Sequence, residues 1–166
     1  MEVLSMLRDA ANKTGVHYLE NDQVIIDGVR FLGCTLWTDF KLFGKELKQL
    51  CLLEGRSYLN DFRVIQNGEW AFSPQDSIDL HNQSIEWLKH KLITEKFDGK
   101  TVVVSHHLPT RLSVAERYKE SHLSACFASN LDEYFGYSDV WIHGHTHDTF
   151  DYRAFHPSTH AYSESE

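Results

Sequence analysis

Two short apolar runs rich in β-branched residues, Thr101-Val102-Val103-Val104-Ser105 and Asp139-Val140-Trp141-Ile142, each end in histidines. The first opens into His106-His107-Leu108-Pro109 and the second into His143-Gly144-His145-Thr146-His147. Uninterrupted apolar runs of this length read as strands covered on both faces, the habit of parallel sheets in α/β folds. Loops beyond the carboxyl ends of such strands are where ligands gather. The pattern therefore predicts that two histidine clusters, far apart in the chain, meet at one edge of a sheet. In Gly144-His145-Thr146-His147 two imidazoles lie one residue apart on a turn that glycine allows to fold closely, which makes a credible chelate.

The rest of the chain alternates helical and extended patterns. Leu4, Leu7 and Ala11 recur at helical spacing before Gly15, so residues 2–14 read as an amphipathic helix closed by glycine. Val24-Ile25-Ile26 and Val29-Arg30-Phe31-Leu32-Gly33 flank Asp27-Gly28, the signature of a tight hairpin. Leu42, Leu47, Leu50 and Leu53 predict a helix over 41–54, stopping before Gly55, while 56–72 has no period and reads as loop. Ser73-Pro74-Gln75-Asp76 supplies an N-cap hydroxyl, a first-turn proline and a carboxylate at the third position. With Ile78, Ile85, Leu88 and Leu92 following as one stripe, it predicts a helix over about 74–97. Ser129 and Asp132 predict a short capped helix before the second strand. No repeat or linker divides the sequence, so 1–153 reads as one α/β domain and 154–166 as a polar tail.

A chain of 166 residues with 42% hydrophobic residues has the length and content to bury a core. Its net charge of −8 argues against nucleic acid or an anionic membrane surface as partner, since both need a basic face. No apolar run approaches membrane-spanning length, and the start MEVLSMLRDA lacks the basic-then-apolar order of a signal peptide. Cys34, Cys51 and Cys126 are widely spaced and read as reduced, buried thiols of a cytoplasmic protein. The unusual feature is the 11 histidines, because imidazole is both the commonest metal ligand and a general acid or base. His17, His81, His90, His122, His156 and His160 read as surface or core residues. His106, His145 and His147 are the candidate metal ligands.

Three segments in order carry a family resemblance: Gly33-Cys34-Thr35-Leu36-Trp37-Thr38-Asp39-Phe40, Val102-Val103-Val104-Ser105-His106-His107-Leu108-Pro109 and Trp141-Ile142-His143-Gly144-His145-Thr146-His147. Together they resemble the carboxy-terminal portion of the calcineurin-like metallophosphoesterases, over roughly residues 1–153. The resemblance implies a partial β-sandwich flanked by helices, lacking the first βαβ units, and a phosphate mono- or diester as substrate. In intact members two divalent metals (Mn, Fe, Zn or Ni) are bridged by an Asp and a hydroxide that attacks phosphorus in line. It implies that His106 and His145 bind one metal and His147 the other. The ligand of the His106-His107 pair is either residue, and the first, nearer the strand end, is favoured. Trp37 and Asp39 match a stretch near the family's substrate mouth, although an aromatic followed by a capping Asp is equally a structural pattern. Arg111 and Arg117 follow the first histidine cluster, where a guanidinium suits a phosphate, or else they are solvated surface arginines.

The departures bear on chemistry. The family's Asp-x-His, Gly-Asp-x-x-Asp and Gly-Asn-His motifs are absent, as is the closing Asn-Pro-x-Gly-Tyr strand. Asp79-Leu80-His81 spells the first of these, but inside the predicted helix and out of order. Two divalent ions held a few ångströms apart repel unless a bridging carboxylate offsets the repulsion. Neutral imidazoles do not, so at most one ion is expected here, with a position open to water. Loss of the first strands also predicts an exposed sheet edge and an uncovered core face, hence a homo-oligomer or a complementing N-terminal chain. Three readings remain: a metal-dependent phosphoesterase, an inactive homologue serving as a single-metal or interaction module, or half of a two-chain enzyme.

Overall fold

The computed structural model describes residues 2–154. Helix α1 (Glu2–Thr14) ends at Gly15, whose φ of 72° takes the chain out of the helix. Strands β1 (Asp22–Ile26) and β2 (Val29–Cys34) pair antiparallel around Asp27 and Gly28, both left-handed at φ 49° and 79°, as the tight turn requires.

The second helix departs from its expected bounds. Residues 41–47 form turns, with Gly44 at φ 90°, and α2 runs over Lys48–Tyr58. It passes through Gly55 because a side chain there would come within 2.8 Å of Cys126 Sγ and 3.1 Å of Phe40 Cε1. That glycine permits close packing and stops nothing. The stretch 56–72, which reads as loop, holds the end of α2, the short helix α3 (Asp61–Val64) and a hairpin of β3 (Gln66–Asn67) with β4 (Trp70–Ala71).

Helix α4 (Pro74–Lys89) begins on the expected capping box: the Ser73 hydroxyl accepts from the Asp76 amide, and the Asp76 carboxylate accepts from the Ser73 amide at 2.7 Å. A π-helical turn over His90–Thr94 replaces its predicted last turns. Strands β5 (Lys100–Ser105) and β6 (Val140–His143) fall where the apolar runs place them. The cap predicted at Ser129 is not made. The short turn Asp132–Tyr134 starts from Leu131, and Ser129 Oγ is buried with no hydrogen-bond partner among the described residues.

The result is an α/β fold with a mixed four-stranded sheet in the order β1-β2-β5-β6, in which β2, β5 and β6 are parallel. On one face Leu32, Cys34 and Val103 pack with Leu36, Leu131, Tyr134 and, from α4 and the turn after it, Leu88 and Leu92. A second cluster, including Phe40, Leu42, Cys51, Phe62, Phe72, Ile78 and Cys126, joins α2 and α3 to the first turns of α4. The opposite sheet face, where the register places Ile26, Phe31, Val102, Val104, Val140 and Ile142, has no layer over it among the described residues, and Val104, Val140 and Ile142 are exposed. The run 101–105 is thus covered on one face, a correction to the reading of both strands as doubly buried. All three cysteines are buried and free. No described helix is long and apolar enough to cross a membrane. The predicted tail, with His156 and His160, lies outside the described residues apart from Ala154.

Candidate functional site

Because β2, β5 and β6 run in the same direction, the segments leaving their carboxyl ends emerge at one edge. Backbone bonds extend the ladder into them: His106 N–H donates to Cys34 C=O at 3.3 Å, His107 N–H to Thr35 C=O at 3.2 Å and Gly144 N–H to His106 C=O at 3.2 Å. Residues 35–40, 106–109 and 144–147 thereby meet; the sequence pattern predicts this for the two histidine segments.

The structure separates the adjacent pair of histidines. His107 is buried, its Nδ1 3.0 Å from the Thr35 carbonyl, and its ring packs 5.0 Å from Trp37 and 4.5 Å from His145 between centroids. His106 is exposed, and its Nε2 faces Nδ1 of His145 at 2.9 Å. Burial, reinforced by His145 and His106 and opposed by the Thr35 carbonyl, pushes His107 down to about 3. Burial, then His106, pushes His145 down to about 4 against the pull of Asp61. Both rings are therefore neutral near pH 7, the form that ligates metal. His147 is exposed on the same turn.

The backbone around these rings is strained. Leu36, Trp37 and Phe40 have φ of 75°, 48° and 60°, and His145 and His147 have 73° and 57°, conformations that L side chains adopt at a cost and that cluster at functional sites. Helix α4 holds the first group in place. His81 Nδ1 lies 3.1 Å from the Leu36 carbonyl and 3.2 Å from that of Trp37, and Ser77 Oγ donates to Thr38 C=O at 3.2 Å. His81 is buried and bound to the backbone of this turn.

The other candidates divide. Trp37 packs 4.5 Å from Phe72 and 5.0 Å from His107, so it walls the histidine cluster. Asp39 accepts from the Lys41 amide at 3.0 Å and its ammonium at 2.8 Å, capping the turn. Burial opposes its charge, but these bonds and nearby His81 hold the carboxyl below its usual range. Arg111 lies over Phe43 at 5.0 Å and pairs with Glu120 at 3.1 Å, and Arg117 pairs with Asp148 at 2.7 Å. Sequence reasoning missed Ser113: its hydroxyl is 2.7 Å from His143 Nε2 and also meets the Tyr152 hydroxyl, anchoring the end of β6. No pattern in the chain marks that pairing. Phe127, also missed, packs 4.9 Å from His145.

Among the described residues no group of three or more His, Cys, Asp or Glu side chains is arranged to hold a metal ion. Two imidazole nitrogens on one zinc, each about 2.0–2.1 Å from it, sit roughly 3–3.5 Å apart. The 2.9 Å between His106 and His145 comes close to that separation. The pair offers two imidazole nitrogens near one point, and the Asp39 carboxylate is engaged by Lys41. No family model, no curated protein and no solved structure matches this chain.

Proposed function

We propose that this chain carries a metallophosphoesterase-type site reduced to a single divalent ion, held by His106 and His145 with His147 as third donor, and acting on phosphate mono- or diesters. The observation that supports it most is the approach of His106 Nε2 to His145 Nδ1 at 2.9 Å, with the two rings at right angles. Mn, Fe, Zn and Ni all accept imidazole. Such an ion polarises a phosphoryl oxygen and lowers the pKa of its bound water. The chain's own contribution is orientation and dryness. Stacking on His107 fixes the plane of His145, and Trp37 and Phe127 give the cluster apolar walls. The partial β-sandwich implied by the family resemblance belongs to this proposal, with the open sheet face as the place where another layer would sit.

The test is hydrolysis of a nitrophenyl phosphodiester by the purified chain with Mn²⁺, beside His145→Ala, with metal binding followed by calorimetry. Turnover lost in the variant is the expected result. Metal binding without turnover points to the second reading, an inactive single-metal homologue or half of a two-chain enzyme, which the engagement of Asp39 with Lys41 favours. Absence of metal binding by folded protein overturns both.

A further inference from the structure

The sheet leaves one apolar face open, and α1 leaves an apolar stripe open in the same chain. Ile26, Val104, Val140 and Ile142 share the open face and are 36–51% exposed. Monomers seldom leave a contiguous apolar patch of several hundred Å² to water. On α1, Val3 and Met6 are 67% and 63% exposed and Leu4 and Leu7 each 44%. Among the residues of this helix whose burial is described, Ala11 alone is buried. The segment that joins the two is pinned: Glu20 accepts from the Thr35 amide at 3.0 Å, and Leu19 lies against Gly33 at the end of the face. Helix α1 therefore projects from its own sheet without covering it. A groove walled by residues 17–20 runs along the open face from Ile26 to His106.

We propose that the occupant of this face is a second copy of the chain, with α1 of each copy lying across the sheet of the other. An apolar helix stripe on an apolar sheet face is one of the few stable layer arrangements. The dimensions agree. The 13 residues of α1 span about 20 Å at a 1.5 Å rise per residue. Four strands roughly 4.8 Å apart present a face about 15–20 Å wide. One seating covers on the order of 300 Å² on each surface, and two-fold symmetry makes it twice, so each copy loses on the order of 600 Å², near the ~800 Å² of a standard interface. Residues 155–166 are mostly polar in sequence and are chemically unsuited to fill an apolar groove.

Sedimentation equilibrium of the full chain at micromolar concentration tests this. A dimer is expected, and Ile142→Lys on the sheet and Met6→Glu on the helix each weaken it at least about tenfold, since each buries a charge at the contact. Both positions are exposed within one chain, so circular dichroism of both variants stays that of the wild type. Mixing the two variants restores association, because the hybrid keeps one intact seating of helix on sheet. A monomeric wild type, a dimer indifferent to Met6→Glu, or variants that do not rescue each other would overturn the arrangement. None of these readouts depends on metal binding or turnover, so the proposed function stands or falls separately.

Discussion

The imidazole of His81, on α4, reaches the carbonyl of Leu36 at 3.1 Å and so ties the helix to a turn that holds two consecutive left-handed residues. The turn presents Trp37 to His107, so the helix sets the wall of the histidine cluster without contributing to it.

His81→Ala removes a buried hydrogen-bonding ring and leaves a cavity. It is expected to cost about 2–4 kcal/mol in urea unfolding and to weaken metal binding through the loosened turn. His90→Ala, at an exposed position, stays within about 0.5 kcal/mol. Equal effects of the two would contradict the clamp.

The neighbours His106 and His107 separate by experiment. His106→Ala is expected to lower zinc affinity in calorimetry by at least about tenfold while changing stability little, because the ring is exposed. His107→Ala mainly destabilises, by about 2–4 kcal/mol, since the ring is buried among Trp37, His145 and the Thr35 carbonyl. The reverse assignment would make His107 the ligand.

Acid weakens the metal-free fold. Burial, with His145 and His106 adding to it, pushes His107 down to about 3, whereas an unfolded imidazole titrates near 6.5. The unfolded chain takes up the proton first, so this stabilising contribution is complete above about pH 6.5 and is lost as pH falls toward 3, at up to about 1.4 kcal/mol per pH unit. His145, pushed down to about 4 by burial and then His106, acts in the same sense. Urea midpoints of chelator-treated protein at descending pH should fall together with a proton uptake on unfolding. A flat profile between about pH 6 and 4 counts against neutral burial of His107.

Gly55→Ala overpacks the contact between α2 and the Cys126 segment, where the new Cβ meets Cys126 Sγ at 2.8 Å and Phe40 at 3.1 Å. The expected cost is about 1–3 kcal/mol, read as a lowered thermal midpoint, despite alanine's better helix propensity. Stabilisation would mean that the packing yields more readily than this geometry indicates.

Hairpin, capping box and paired strands were legible because each depends on neighbours in sequence: Asp27-Gly28 needs only its own φ angles, and Ser73 only Asp76. The convergence of His106 with His145 was legible because parallel strands deliver their ends together. What failed depended on distant partners. Gly55 looks like a stop until Cys126 is placed beside it, and the turns over 41–47 follow from Asp39 and Gly44, against the leucine spacing. The open face was concealed by Val102 and Val104, which match a doubly covered strand as well as one with a bare side.

The order in which the strands supply the cluster also sets when it can exist. His107 leans on Thr35 across 72 positions of chain, and His106 meets His145 across 39 more. Contacts of such high sequence separation close late and slowly during folding. On a ribosome the turn at Trp37, the first histidines and the pair His145 and His147 leave the tunnel in that order, and the pair joins the cluster only after β6 has docked beside β5. Under the proposed single-ion site, an ion would find no early nucleus to bind, and its capture would report completion of the sheet.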